Sequence, residues 1–149
     1  MTSTQADHEW FMRLAMAEAA MSAQAGGRPY GTVVVHDGMV VGRSGPRIDS
    51  TKNPTGHAEI LAIQEAAQRL GTADMTGCTV YNNQGSCMMC CGVMLANKVS
   101  LVVSGIRPVP GEDNLDRLIA LMNVGDHTKV LRGVLEQETA EHFQAHFKG

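Results

Sequence analysis

Short β-branched segments alternate with longer segments of helical periodicity along most of this chain. After an opening helix, His36-Asp37-Gly38 separates two apolar runs and predicts a tight hairpin, because Asp-Gly tolerates positive φ. Beyond the hairpin, strands and helices take turns, an order typical of a sheet covered by helices on both faces. We therefore expect a three-layer α/β/α sandwich with a mixed sheet of about five strands. The predicted strands are 32–35, 39–41, 78–81, 99–103 and 128–131; the predicted helices are 7–25, 57–70, 88–96, 113–122 and 134–147, with a polar loop over 43–54.

The length and charge of the chain limit its partners. A chain of 149 residues predicts one domain over 1–149. Twelve Lys and Arg stand against 15 Asp and Glu, giving a net charge of −3. Nucleic-acid binding needs clustered Lys and Arg to neutralise phosphates, and the sequence has no such cluster. We therefore expect a small neutral or weakly charged substrate and no nucleic-acid partner.

The chain also lacks the signals of membrane or secreted proteins. No apolar run approaches the ~20 residues that a membrane helix needs. The N-terminal residues are polar and lack the basic-then-apolar order of a signal peptide. These features predict a cytoplasmic protein without a membrane partner.

Three of the four cysteines, Cys87, Cys90 and Cys91, fall within five positions, while Cys78 stands apart. This spacing is too crowded for a disulfide framework in a chain expected to be cytoplasmic. Clustered thiols in a reducing compartment bind metal or perform redox chemistry. The Cys87-x-x-Cys90 pair opens a predicted helix directly after a strand, so it is a candidate for either role.

A second motif, His57-x-Glu59, opens another predicted helix. Zinc favours thiolate and imidazole ligands, and a catalytic zinc keeps one of its four positions open for water. His57, Cys87 and Cys90 supply three ligands. Cys91 is the obvious fourth ligand of a structural site, but adjacent helical residues point about 100° apart, which favours three. A carboxylate beside the metal can carry a proton in both directions, so Glu59 is predicted to be a proton shuttle rather than a ligand.

Each motif alone has an ordinary explanation. A histidine at a helix start is often a cap or a surface group. Cys-x-x-Cys is also found as a redox pair or as two buried thiols that pack as small hydrophobes. Together, each at a strand-to-helix junction, the two motifs form the signature of zinc deaminases.

The chain resembles the cytidine-deaminase-like zinc hydrolases, in particular their bacterial tRNA adenosine, guanine and cytosine deaminase branch. NPTGHAEI at 53–60 is similar to the family's Asp-Pro-Thr-Ala-His-Ala-Glu-Ile stretch, and CMMCCGVM at 87–94 to its Cys-x-Met-Cys-Ala-Gly-Ala-Met stretch. Segments 29–35 and 132–138 are also similar. The resemblance implies that one Zn²⁺ per chain is held by His57, Cys87 and Cys90, with Glu59 as the general acid/base. It further implies a substrate contact from the Ala58 backbone N–H and a homodimer or larger assembly.

The departures from the family concern the substrate. The family's base-holding Asn aligns with Pro46, which has no side-chain donor or acceptor. Its Glu-Pro before the first cysteine is Gly85-Ser86 here, which predicts a looser turn and places a hydroxyl near the metal. Just upstream, Asn82 or Asn83 either replaces the missing Asn or serves as a turn residue.

Aromatic residues at both ends of the chain have two interpretations. Tyr30 either lines the pocket or fills the core. In the family the last helix lies near the pocket mouth, so Phe143 and Phe147 either pack that helix onto the protein or stack on a flat ring.

The sequence therefore predicts hydrolytic deamination of an amino-substituted N-heterocycle, either a nucleobase, a nucleoside or an analogue, with release of ammonia. Two alternatives stay open. One is a tRNA adenosine deaminase, which would need a basic surface. The other is a zinc-stabilised binding domain without turnover, which the loss of a substrate-holding side chain at Pro46 would permit.

Overall fold

The computed structural model describes residues 3–123 and 126–147, and its centre is a mixed five-stranded sheet. The strand order is β2-β1-β3-β4-β5. β1 lies antiparallel to both β2 and β3, whereas β3, β4 and β5 are parallel. The strands are β1 (Thr32–His36), β2 (Met39–Ser44), β3 (Cys78–Asn82), β4 (Leu101–Ser104) and β5 (Lys129–Arg132). The helices are α1 (Gln5–Gln24), α2 (Ile48–Thr51), α3 (Ala58–Leu70), α4 (Met88–Ala96), α5 (Asn114–Met122) and α6 (Glu136–His146).

Two apolar cores on opposite faces of the sheet produce the three layers. Val34 of β1 and Val80 of β3 pack with α3, α4 and α5 in one core. The neighbouring Val33 and Tyr81 pack with α1 in the other. Successive side chains of a strand point to opposite faces, and helices cover both, so these strands are apolar throughout. The predicted mixed α/β architecture is confirmed. The predicted domain span of 1–149 includes residues outside those that the structure describes.

Helix α1 begins differently from the sequence prediction. The sequence predicts its start at Asp7, but the helix begins at Gln5 and its N-cap is Thr4. The Thr4 hydroxyl accepts a hydrogen bond from the Asp7 backbone N–H at 3.1 Å, and the Asp7 carboxylate accepts one from the Thr4 N–H at 2.9 Å. This reciprocal pair is a capping box, in which Asp7 is the third helical residue.

The predicted polar loop over 43–54 also needs correction. β2 extends into it as far as Ser44, and the short helix α2 follows at Ile48–Thr51. Helix α2 has no side-chain cap and ends at Lys52 in the left-handed conformation. A single helical turn is too short to show hydrophobic periodicity, so no pattern in the sequence predicts α2.

Helix α3, which opens with the His57 motif, lies in close contact with the sheet. A Cβ built on Gly42 of β2 would stand 2.0 Å from the carbonyl oxygen of Ala62 in α3. Only glycine permits this approach, because the obstructing atom belongs to the backbone. The contact between Gly42 and Ala62 therefore fixes how far α3 stands from the sheet.

None of the helices within 3–123 and 126–147 is both long enough and apolar enough to span a membrane.

Candidate active site

The two sequence motifs meet in space at the N-termini of α3 and α4. His57 is the N-cap of α3 and Cys87 is the N-cap of α4, both with extended backbone conformations. His57 Nδ1 lies 3.5 Å from Cys87 Sγ and 3.5 Å from Cys90 Sγ. In the described part of the chain, these three residues are the one group of at least three His, Cys, Asp or Glu side chains close enough to share an ion.

Both helices present free backbone N–H groups at this point. The first intrahelical hydrogen bonds run from Leu61 to the His57 carbonyl and from Cys91 to the Cys87 carbonyl. The N–H groups of the residues between these partners, including Ala58 and Glu59, therefore have no acceptor within their own helix. Their dipoles stabilise negative charge at the helix start, whether on a thiolate or on a bound anion.

The burial of Cys90 links the ionisation of its thiol to the presence of a cation. Cys90 is fully buried. Burial, together with the nearby Glu59 and Cys87, raises the pKa of the Cys90 thiol far above its usual range. Cys90 becomes a thiolate only if a positive charge offsets this burial. All four cysteines are free thiols, and one imidazole nitrogen with two sulfurs is a donor set that suits Zn²⁺. The residues present therefore fit a zinc ion with one open position.

Glu59 lies beside the cluster without being one of its clustered donors. It is half-buried in the first turn of α3, two residues after His57. Its charge contributes to the raised pKa of Cys90, so its carboxylate is close to that thiol. The structure therefore brings a carboxylate to the edge of the candidate metal site.

Cys91 points away from the cluster, as the helical geometry predicts. Its thiol is directed at the Ser86 carbonyl oxygen, 3.7 Å away, and its side chain belongs to the apolar core. Burial raises the pKa of Cys91 to about 12. Cys91 is therefore a buried, protonated thiol outside the group of three donors.

Asn82 and Ser86 are in contact with each other. Asn82 Nδ2 donates to Ser86 Oγ at 3.1 Å, and Asn82 Oδ1 accepts from the Thr32 hydroxyl at 2.7 Å. A residue that the sequence did not suggest, Asn114, donates from Nδ2 to the Ser86 carbonyl oxygen at 3.1 Å. Hydrogen bonds therefore restrain Ser86 at both its side chain and its backbone, and the looser turn predicted from Gly85-Ser86 stays a prediction.

Asn83 is engaged with the backbone on both sides of Tyr30. It is 1% exposed. Its Oδ1 accepts from the Gly31 N–H at 3.0 Å, and its Nδ2 donates to the Pro29 carbonyl at 2.9 Å. The amide is therefore satisfied within the protein, which favours the structural interpretation of Asn83 over the substrate-binding one.

The remaining predicted contacts lie around the entrance to α3 and near α6. Pro46 is half-buried, and the N–H of the next residue, Arg47, donates to the Gly56 carbonyl at 2.8 Å, one residue before His57. Tyr30 is half-buried, and its ring centroid lies 5.7 Å from that of Phe143 in α6. The structure therefore places Pro46 beside the His57 turn and connects Tyr30 to α6.

A separate cavity of about 330 Å³ lies behind the turn that leads into α4. Asn82, Ser86, Cys91, Asn114 and Arg132 are among the residues that line it. None of His57, Glu59, Cys87 and Cys90 lines it. This cavity is therefore distinct from the space over the three donors.

A mixed five-stranded sheet that carries His-x-Glu and Cys-x-x-Cys at the N-termini of two helices on one face defines a cytidine deaminase-like protein. Comparison with known proteins agrees. A tRNA-specific adenosine deaminase of Bacillus subtilis is 31% identical over 142 residues, which are 94% of this chain and 88% of that protein. One from Aquifex aeolicus is 33% identical over 95 residues, which are 64% of this chain but only 63% of that protein.

Solved structures are similar in the same way. A structure from a study of A-to-I editing by tRNA:A34 deaminases at the wobble position superposes with a TM-score of 0.81 at 29% identity, covering 89% of this chain and 98% of that one. Guanine deaminase from Bacillus subtilis superposes with a TM-score of 0.63 at 31% identity, covering 65% of this chain and 62% of that one. The model of the MafB19-like deaminase family matches residues 6–139, and the chain belongs to that family.

The structural interpretation of Asn83 predicts a specific loss of stability. Asn83→Ala leaves the Gly31 N–H and the Pro29 carbonyl without partners, so we expect the free energy of unfolding to fall by about 2–4 kcal/mol. Urea denaturation followed by circular dichroism measures this. Asn97→Ala, which removes a half-buried amide with one backbone bond, is the matched control and should cost about 1 kcal/mol or less. Unchanged stability of Asn83→Ala with a raised KM would instead assign Asn83 to the substrate.

Proposed function

We propose that this chain is a zinc-dependent hydrolytic deaminase that converts an amino-substituted N-heterocycle, a nucleobase, nucleoside or analogue, to the oxo product with release of ammonia. The observation that carries the proposal is the convergence of His57, Cys87 and Cys90 beside Glu59, in a chain of a deaminase family. One Zn²⁺ per chain would be held by the imidazole and the two thiolates. When bound there, it supplies a Lewis acid that lowers the pKa of water.

Glu59 and the helix N-termini would carry out the remaining chemistry. In the net reaction one water adds its oxygen to the amino-bearing carbon, the carbon–nitrogen bond breaks, and no electrons are exchanged. The Glu59 carboxylate takes the two protons of this water in turn and delivers one to the ring nitrogen and the other to the departing amine, which leaves as ammonia. The Ala58 N–H, at the positive end of α3, contacts the substrate and stabilises developing negative charge.

The substrate ring would be bordered by Tyr30, Pro46 and Ser86. Pro46 lies beside the His57 turn and offers an apolar surface rather than a hydrogen bond. Tyr30 packs against Phe143, so it can present one edge of its ring to a flat heterocycle while α6 supports the other. Asn82 and Asn83, the other predicted substrate contacts, would shape the pocket rather than bind the ring, because their amides are hydrogen-bonded within the protein.

Deamination of a tRNA adenosine is the second candidate function. The similarity to tRNA-specific adenosine deaminases over 94% of the chain favours it, so the expectation that nucleic acid is not a partner is not confirmed. The ion pairing favours a small substrate instead. Arg13, Arg43, Arg69, Arg107 and Arg132 all pair with carboxylates, which leaves fewer guanidinium groups for phosphates.

We further propose that the chain forms one deaminase domain, works in the cytoplasm and assembles as a homodimer or larger homo-oligomer. Its four free thiols suit a reducing compartment. Met88 and Met89 at the start of α4 are 41% and 38% exposed, and a second copy would cover such apolar side chains. Light scattering during size-exclusion chromatography measures the assembly.

Two neighbouring cysteines provide a test of the metal site. We expect the purified protein to contain about one Zn²⁺ per chain and Cys90→Ala to lower that content at least tenfold, because it removes a ligand. Cys91→Ala is the matched control, since it deletes an equally buried thiol one residue away and should retain the metal. Elemental analysis of the two variants measures both. Loss of zinc in Cys91→Ala with retention in Cys90→Ala would contradict the assignment.

The reaction itself is tested by ammonia release from a panel of pyrimidines, purines, pterins and triazines, with tRNA added at low and high salt. We expect at least one free heterocycle to be turned over and Glu59→Gln to lower that rate by about 10²–10⁴-fold while retaining zinc. Retained turnover in Glu59→Gln contradicts the mechanism. Turnover of tRNA alone, falling steeply with salt, selects the second candidate. A metal-loaded protein that releases no ammonia from any substrate would be a binding domain.

A further inference from the structure

The turn that leads into Cys87 lacks the restraint that its family resemblance implies. The family has Glu-Pro at this point, and proline would fix its own φ. This chain has Gly85-Ser86, two residues with freer backbones. Ser86 nevertheless makes hydrogen bonds to the sheet through its side chain and to α5 through its carbonyl group, which the Cys91 thiol also approaches at 3.7 Å.

The first of these bonds ties the Ser86 side chain to the sheet. Asn82 Nδ2 donates to Ser86 Oγ at 3.1 Å. Asn82 is itself held by Thr32, its register partner on β1, whose hydroxyl donates to Asn82 Oδ1 at 2.7 Å. Thr32 and Asn82 are 1% and 3% exposed, so water does not compete for this pair. The hydroxyl of Ser86 is thus bonded to a rigid, buried part of the sheet.

The second bond ties the Ser86 backbone to α5. Asn114, the first residue of that helix, donates from Nδ2 to the Ser86 carbonyl oxygen at 3.1 Å. The Ser86 carbonyl and the Cys87 N–H belong to one planar peptide unit. A hydrogen bond that fixes the direction of the carbonyl therefore also fixes the orientation of this peptide plane, which contains the Cα atom that carries the Cys87 side chain.

The start of α5 is itself well restrained. The Asp113 carboxylate accepts from the N–H groups of Leu115 and Asp116 and so caps the helix. The same carboxylate accepts from Arg132 Nε at the end of β5, at 2.5 Å. Asn114 therefore donates to Ser86 from a helix start that is itself hydrogen-bonded to β5.

We propose that Thr32, Asn82 and Asn114 form a clamp on Ser86, the Ser86 clamp, that orients Cys87 for metal binding in place of the family's proline. Asn82 and Asn114 are then positioning residues of the metal centre, acting through Ser86 without touching the metal. This inference rests on the proposed function, because it concerns the same metal site. Its physical basis is preorganisation: a turn ordered during folding need not be ordered again when the metal binds.

Asn114 gives the sharpest test, because it is partly exposed and its amide is the only part of the side chain that the clamp uses. The Zn²⁺ affinity of the full chain is measured by competition with a chromogenic chelator. Substitution by Co²⁺ then reports ligand geometry through the thiolate-to-metal charge-transfer band. We expect Asn114→Ala to bind Zn²⁺ 10–100-fold more weakly than the unmodified chain and to shift or weaken the Co²⁺ band.

The matched control is Asn97→Ala, which deletes another amide that donates to a backbone carbonyl, at the far end of α4. It should bind Zn²⁺ within twofold of the unmodified chain. Thermal unfolding of each metal-free variant confirms that affinity is measured on folded protein. If Asn114→Ala does not fold, Ser86→Ala tests the other bond of the clamp and should weaken Zn²⁺ binding at least threefold.

The outcomes separate the clamp from the proposed function. If Asn114→Ala keeps the Zn²⁺ affinity and the Co²⁺ spectrum of the unmodified chain, the clamp is overturned. This holds even if the variant is less stable, because a loss of stability alone shows only a structural role for Asn114. An unmodified chain that binds no Zn²⁺ overturns the metal site itself and, with it, the inference. Weakened affinity and an altered spectrum in Asn114→Ala, with both retained in Asn97→Ala, support the clamp.

Discussion

The packing of one buried thiol, Cys90, and one half-buried thiol, Cys87, against one imidazole is the constraint on which the rest of the site depends. Burial and nearby acidic groups raise the pKa of Cys90, so the cluster is favourable either as protonated thiols or with a cation among them. The fold favours the state with a cation and ionised thiols, because it brings the N-termini of α3 and α4 together. The positive ends of the two helix dipoles then stabilise the negative charge of the thiolates. The close contact of Gly42 with Ala62 holds α3 at the distance this arrangement requires.

The amide side chains of Asn82 and Asn83 are already hydrogen-bonded within the protein, so they are not free to bind a substrate. Asn83 bonds to the backbone on both sides of Tyr30, and Asn82 bonds to Thr32 and Ser86. A buried amide with both ends satisfied would lose those bonds if it turned towards a ligand, and the loss would leave unpaired groups behind. These asparagines are therefore better suited to shaping the pocket than to reading a heterocycle.

The sequence predicted the fold and the donor set well because both have strong local signals. Alternation of β-branched and helical segments identified all five strands, and the 100° step between helical neighbours separated Cys91 from Cys90. What it could not predict depends on distant partners. Helix α2 is one turn long, and the bond between Asn114 and Ser86 joins residues 28 positions apart. An asparagine after a helix-capping aspartate looks like an ordinary first-turn residue until the fold places a carbonyl beside it.

The internal hydrogen bonding of the asparagines also affects how this chain would recognise a substrate. Because Asn82 and Asn83 are bonded internally, their amides would have to break those bonds to reach a substrate. Directional contacts would then come mainly from the free N–H groups at the start of α3 and from Glu59, which recognise the amidine group common to many heterocycles. Shape would come from Tyr30 and Pro46, which discriminate by size and flatness rather than by hydrogen-bond pattern. Under the proposed function, a pocket of that kind would favour the class of ring over one particular base.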